Sequence, residues 1–308
     1  MSVLVATHDG PFHADDVMAF ALICTFHDPG AQVVRTRDPD KIAAADLVID
    51  VGGSYDPAAG RFDHHQKTYE GPWSSAGMVL DWLRATGAID PELADTLRTE
   101  LMDYLDGVDN GRITPRPGVP CFPRIVEALN HPAKTHAAFD DAFREGAAFA
   151  GIWLRGLVAA HQAVLEARVV VRRAMDEAAA AGRRVIVLDA YLPWKPVYFA
   201  NGGEAHPTEF VLHPGTDGSW RAVAIPPTAG SMAQKRPFPA AWAGLTDQAL
   251  EDVTGVPGSV FCHKNRFIAV FKSREAALVA LERHGLSVSS GEAGDPKRDL
   301  GEHHPEQR

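Results

Sequence analysis

Through the first 110 residues, short apolar runs alternate with longer stretches in which apolar positions recur every three or four residues. Residues 3–6 (Val-Leu-Val-Ala) are a strand-length apolar run, and 14–26 carries helical periodicity. A second strand begins at Val33-Val34, and 47–51 (Leu-Val-Ile-Asp-Val) is a buried strand whose last polar residue is Asp50, ahead of Gly52-Gly53. Residues 75–86 and 91–105 are predicted helices, the latter with Pro91 at its first position. Strands alternating with helices predict an α/β fold with a parallel sheet covered on both faces.

The pattern changes twice further on. Pro115, Pro117, Pro120 and Pro123 make 113–123 a predicted loop. Residues 135–182 are Ala-rich and free of proline, which predicts one long helix or two nearly collinear ones, with Gly182 as the C-cap. A connector of that length joins domains or forms a subunit interface, so a homo-oligomer is one expectation. Strand candidates at 185–188, 209–212, 220–225, 259–262 and 267–271, closed by a helix at 274–284, predict a small α+β domain. Residues 287–308 are polar and contain Gly and Pro, so a disordered tail is expected, with His303-His304 incidental to function. The division expected is therefore 1–134, a linking helix 135–182, a second domain 183–286 and the tail.

Composition narrows the function. At 45% hydrophobic and 23% charged residues the chain is ordinary for a globular protein. It has no uninterrupted apolar stretch approaching the roughly 18 residues of a membrane span. The amino terminus lacks a basic n-region and a cleavage site, and the three scattered cysteines offer neither a disulfide framework nor a thiolate metal site, so a cytoplasmic location is expected. A net charge of −10 argues against tight nonspecific binding of duplex nucleic acid, while leaving a nucleic-acid end in a local pocket open.

Chemistry concentrates in three clusters. Thr7-His8-Asp9-Gly10-Pro11-Phe12-His13-Ala14-Asp15-Asp16 follows the first strand and runs into a helix; Asp50 ends a buried strand; Asp63-His64-His65-Gln66 follows Phe62. In a parallel sheet, ligands gather beyond the carboxyl ends of the strands, where His8 and Asp50 would meet. Each piece has a plainer reading: a core or turn histidine, a helix cap at Asp15 or Asp16, turn chemistry at Asp50. Taken together, imidazole and carboxylate without thiolate suit Mn²⁺ or Mg²⁺, with Zn²⁺ or Co²⁺ able to substitute. A buried carboxylate such as Asp50 can bridge two cations, and a cation pair about 3.5–4 Å apart serves phosphoryl transfer. Asp103, Asp106 and Asp109 lie near a helix end, where Asp109 or Asp106 could add a further carboxylate.

These residues resemble the DHH phosphoesterase superfamily, whose triplet here is Asp63-His64-His65, and more closely the Myg-type (melanocyte proliferating gene) proteins within it. The matching segments are Thr7-His8-Asp9-Gly10 with Phe12-His13-Ala14-Asp15-Asp16, Val34-Arg35-Thr36-Arg37-Asp38, and Val48-Ile49-Asp50-Val51-Gly52-Gly53. They continue with Arg61-Phe62-Asp63-His64-His65-Gln66, Ser74-Ser75-Ala76-Gly77 and Val108-Asp109-Asn110-Gly111, and more weakly through Pro193-Trp194-Lys195, Trp220-Arg221-Ala222-Val223 and Phe261-Cys262-His263.

The resemblance implies a doubly wound parallel sheet, a long linking helix and a smaller α+β substrate domain. It also implies two divalent cations, Mn²⁺ foremost, and hydrolysis of phosphodiesters. By the same likeness His8, His13 and Asp50 would hold one cation and Asp15, Asp50, His64 and Asp109 the other, while His65 would meet the scissile phosphate. The implied substrate is a single-stranded nucleic-acid end or a short oligonucleotide, cut as by the 3′–5′ exoribonucleases of this type. Substrate contacts are expected from Ser75, Arg236, His263, Lys264 and Arg266. One segment departs from the eukaryotic pattern: a glycine-rich stretch, roughly Gly-Phe-Ile-Gly-Gly, is replaced by His263-Lys264-Asn265-Arg266-Phe267-Ile268-Ala269-Val270. Lys264 and Arg266 would then take over phosphate contacts that a glycine backbone makes. The competing readings are a small-molecule phosphoesterase acting on dinucleotides or pyrophosphate, a non-catalytic metal-binding scaffold, and a protease or amidohydrolase.

Overall fold

A computed structural model describes residues 2–287, so the expected tail from 288 onward, with His303-His304, lies outside the described residues. The chain separates into two units that divide between His161 and Gln162, inside one long helix.

The first unit runs β1 (Leu4–Thr7), α1 (Ala14–Phe26), β2 (Gln32–Arg35), α2 (Pro39–Ala44), β3 (Leu47–Ile49), β4 (Tyr55–Asp56), β5 (Arg61–Phe62), α3 (Ser75–Ala85), α4 (Pro91–Leu97), α5 (Asp103–Asp109), α6 (Phe122–Asn130) and the first part of α7 (His136–Ala180). The sheet order is β2-β1-β3-β5-β4, parallel except for the β4–β5 pair. Alternate strand residues face opposite sides. Val5, Leu47 and Ile49 join a large core with α1, α3, α5 and Phe143, Ala147, Ala150 and Leu154 of α7, whereas Ala6 and Val48 pack against Ile42 of α2. Helices therefore cover both faces, as expected of a doubly wound sheet. Helix α1 is the central one: Ala14 through Ile23 are all buried, so it shows no polar stripe.

Two local outcomes differ from the sequence pattern. The helix expected at 91–105 runs on to Asp109, with a π-turn at Arg98–Met102 between α4 and α5. The extra residue turns both Leu101 and Met102 inward. The proline-rich loop ends sooner than expected, because Pro123 sits in the first turn of α6, where a missing N–H is tolerated.

The second unit holds the rest of α7, then β6 (Val185–Val187), α8 (Trp194–Ala200), β7 (Phe210–Pro214), β8 (Trp220–Ala224), α9 (Asp247–Thr254), β9 (Ser259–Cys262), β10 (Ile268–Phe271) and α10 (Arg274–Arg283). Its sheet, β6-β7-β8-β10-β9, is antiparallel apart from β6–β7. Ala167, Val171, Met175 and Ala178 of α7 pack with α8 on one face, and α9 and α10 cover the other. Helix α7 is long and apolar enough to cross a membrane by length and composition alone. Phe143, Ala147, Ala150 and Leu154 enter the core of the first unit and Ala167, Val171, Met175 and Ala178 that of the second, while Ile152 and Val169 are exposed. It closes at Gly182, whose φ of +62° gives the left-handed cap the glycine predicts.

Candidate metal centre

The ends of β1, β3 and β5 and the start of α1 meet at one edge of the first sheet, beside α3 and α5. His8 follows β1 and is nearly buried. Its Nδ1 lies 3.1 Å from the Asp9 carbonyl oxygen, which only an N–H can satisfy, so the Nε2 lone pair is free. That lone pair faces Asp16 Oδ2 at 3.4 Å and Asp50 Oδ2 at 3.3 Å. His13 stands at the N-cap of α1, its backbone N–H donating to Asp16 Oδ1 at 3.0 Å. Asp15 and Asp16 are fully buried in the first turn, where the helix dipole favours negative charge.

Asp50 follows β3 with φ +55°, a left-handed conformation that aspartate tolerates better than most residues. The turn aims its carboxylate back at the centre. Asp50 Oδ1 lies 3.2 Å from His64 Nε2 and 3.5 Å from His65 Nδ1. His64 is held by its other nitrogen, 3.2 Å from Asn110 Oδ1, so its Nε2 lone pair points among Asp50, Asp109 at 3.2 Å and Asp15 at 3.7 Å. His65, like His13, is exposed. Asp63 Oδ1 accepts from its backbone N–H at 3.1 Å and lies 2.8 Å from its Nδ1, while Asp63 Oδ2 accepts from Gly53 N–H at 2.6 Å.

Two imidazole lone pairs facing anionic oxygens at 3.2–3.7 Å repel unless a cation or a proton lies between them. Asp15 Oδ1, Asp16 Oδ2, Asp50 Oδ2 and His64 Nε2 are buried without a hydrogen-bond partner, which native proteins rarely allow. Three overlapping groups offer ligand atoms within 4.8 Å of one another: His8, His13 and Asp50; Asp50, His64 and His65; and His13, Asp15 and Asp109. The donor set, nitrogen and carboxylate oxygen without sulfur, fits Mn²⁺ or Mg²⁺.

Protonation follows the same crowding. Burial, then the charges of Asp50, Asp109 and Asp16, lift Asp15 well above the usual carboxylate range. Burial and the Asp50 charge lift Asp16 to about 7. Burial opposes ionisation of Asp50, yet His64 and His8 outweigh it and hold that carboxyl low. Burial lowers His8 and His64, but the carboxylates around each outweigh it, so both are raised. Metal binding must displace those protons.

The structure thus brings together His8, His13, Asp15, Asp50, His64, His65 and Asp109. It also separates the alternatives left by the spacing on α5. Asp106 faces away, into the amino terminus of α3: its Oδ1 accepts from Ser74 N–H at 3.0 Å, Ser74 Oγ–H at 2.6 Å and Gly77 N–H at 3.2 Å. Ser75, expected to touch substrate, is fully buried. Its hydroxyl donates to the Phe62 carbonyl at 2.9 Å and reaches Asp50 Oδ1 at 3.4 Å, so it braces the carboxylate instead. Arg236, His263, Lys264 and Arg266 belong to the second unit. Arg236 Nη1 donates to the Gly285 carbonyl at 3.0 Å, and Arg266 Nη1 to that of Phe238 at 3.3 Å; Lys264 is exposed on the β9–β10 turn. Sequence reasoning passed over Asp16 as more than a cap, Asp63 as the partner of His65, and Asn110 as the partner of His64. The adjacency of Asn110 to Asp109 was the only available signal.

Residues 4–283 match the model of MYG1_exonuc, described as an uncharacterised protein family (UPF0160). The chain is 40% identical over 280 residues to the "MYG1 protein" of Chlamydia trachomatis, covering 90% of this chain and 94% of that one. It is 32% identical over 319 residues to the "MYG1 exonuclease" of Homo sapiens, covering 89% and 83%. Among solved structures it is similar to RecJ of Thermus thermophilus in complex with Mn²⁺, with a TM-score of 0.28, 14% identity, and coverage of 92% of this chain and 52% of that one.

Proposed function

The chain belongs to the MYG1_exonuc family, and from that premise we propose that it is a metal-dependent phosphodiesterase removing nucleotides from single-stranded RNA ends in the 3′–5′ direction. The observation that carries this reading is the pair of histidines, His8 and His64, each locked through Nδ1 so that Nε2 faces buried carboxylates. His8, His13 and Asp50 would hold one divalent cation and Asp15, Asp50, His64 and Asp109 a second, Asp50 serving both. When bound, such cations activate water and offset charge on phosphoryl oxygens.

The remaining work falls to side chains. Asn110 and the Asp9 carbonyl keep His64 and His8 in the tautomer that presents Nε2. Asp63 orients His65, whose side chain is 60% exposed beside the centre and so can meet a phosphate oxygen or protonate the departing one. Arg37, at the rim with Gly52, Gly53 and Gln66, places a cation next to that phosphate.

The test is His64→Ala measured two ways. Metal content by mass spectrometry should fall by one equivalent, and Mn²⁺-dependent release of nucleotides from single-stranded RNA should be lost. A variant that keeps both would sink the reading. Parallel rates on single-stranded DNA, a dinucleotide and pyrophosphate assign the substrate; preference for pyrophosphate would favour the small-molecule alternative, which the net charge of −10 supports.

A further inference from the structure

Metal-assisted hydrolysis leaves unused a cleft of about 740 Å³ in the first unit, bounded by the amino terminus of α1, by α5, by Pro115, by α6 and by the start of α7. Its size lies within the roughly 300–1,000 Å³ of small-ligand sites. It adjoins the metal centre: His13 lines both this cleft and the smaller 350 Å³ cavity over Asp50 and His65, and Asp109 lines the cleft as well. A phosphate seated on the centre would therefore have its attached nucleoside at the mouth of the cleft.

The walls state what they accept. Leu105, Val108, Pro115, Pro123, Val126 and Phe139 are apolar. Asn130 occupies the backbone polar groups of Phe12, its Oδ1 accepting from Phe12 N–H at 3.1 Å and its Nδ2 donating to the Phe12 carbonyl at 2.8 Å. The apolar side chains offer a stacking surface to the flat face of a heteroaromatic ring. Cations stand at the rim: Arg124, paired with Glu127 at 2.8 Å, and Lys134, which donates to the His131 carbonyl at 3.2 Å. Positive charge at the edge of an apolar slot, in a chain of net charge −10, matches a ligand with a ring at one end and phosphate beyond it. Pyrophosphate would leave the slot unfilled.

We propose that this cleft is a nucleoside subsite, which holds the terminal nucleoside while its phosphate lies on the metal centre. The proposal deepens the phosphodiesterase reading and rests on it for the position of the phosphate. It is tested by equilibrium binding of adenosine 5′-monophosphate and of ribose 5-phosphate to the full chain with Mn²⁺, followed by calorimetry. The nucleotide should bind about fivefold or more tightly than the sugar phosphate, the low end of what one stacked base contributes. Pro123→Trp, which fills the slot, should bring the two affinities together and leave ribose 5-phosphate unchanged. Pro115→Trp fills the slot from the loop and stands in where circular dichroism shows the first variant to be unfolded. Equal affinities in the wild type, or an undiminished preference in the folded filled variants, would overturn the subsite. RNA hydrolysis measured alongside separates the two ideas. Hydrolysis without preference for the nucleotide over the sugar phosphate removes only the subsite, whereas that preference without hydrolysis of any phosphodiester keeps the subsite and removes the phosphodiesterase.

Discussion

Substituting Asp106 by Ala should destabilise the first unit by several kcal/mol without touching a residue of the metal cluster. Asp106 is 1% exposed and caps α3 from a distance of 32 residues in sequence. The N-cap Ser74 makes no side-chain cap of its own, and the Asp106 carboxylate takes over by accepting from the N–H groups of Ser74 and Gly77. The same carboxylate lies 3.4 Å from Arg98 Nη1, and the Arg98 guanidinium sits 4.7 Å from the centre of the Trp73 ring. Even Gly77 is explained, since a Cβ there would collide with the carboxylate.

Truncation strands the Ser74 hydroxyl, two buried N–H groups and a half-buried guanidinium. Each hydrogen bond to a charged group is worth about 1.5–3 kcal/mol. The sum is not additive because Arg98 still donates to the Gly77 carbonyl at 3.0 Å, so the loss should be about 3–5 kcal/mol, as for other broken buried pairs. With a urea slope near 2 kcal/mol/M, that is a midpoint lowered by about 2 M. Fluorescence of Trp73 and Trp82, in EDTA to exclude metal linkage, reads the transition of this unit. Asp106→Asn, which keeps one acceptor, should fall between. A variant as stable as wild type in EDTA, yet short of one bound metal, would refute the reasoning and make Asp106 the ligand in place of Asp109.

Asp109→Ala should do the reverse: metal-free stability unchanged, one metal equivalent lost by mass spectrometry, and RNA hydrolysis down by more than the roughly 10–100-fold of an outer-shell change. Asn110→Ala removes the oxygen that holds His64 Nδ1, so Mn²⁺ affinity should weaken by about 10–100-fold in a competition titration while the stoichiometry stays the same. The metal-free chain should lose stability as pH rises from 5 to 8, read by thermal melting in EDTA. Asp16, raised to about 7, favours folding while protonated and loses about 3 kcal/mol of that contribution between pH 5 and 7 as it ionises; raised His8 and His64 act in the same direction. Asp50, held low, contributes a constant amount across that window. Saturating Mn²⁺ should reverse the slope, because ligands bind metal only once deprotonated, and an unreversed slope would argue against metal at this cluster.

What the linear chain determines here is local. The helix-length, proline-free apolar stretch Ala14–Phe26, the buried run Leu47–Ile49 and the glycine closing α7 mark their elements because such signals are carried by near neighbours. The ligand-bearing segments were legible for the same reason, since each sits at the end of such an element. Two kinds of fact required the folded chain. One is the choice between chemically equal residues: Asp106 and Asp109 lie three apart on one helix, and only the packing of α5 against α3 sends one to a helix cap and the other to the histidines. The other is the set of supporting partners, Asp63 for His65, Asn110 for His64 and buried Ser75 for Asp50. Their roles depend on distances across the fold, and a side chain carries no mark of the neighbour it will meet.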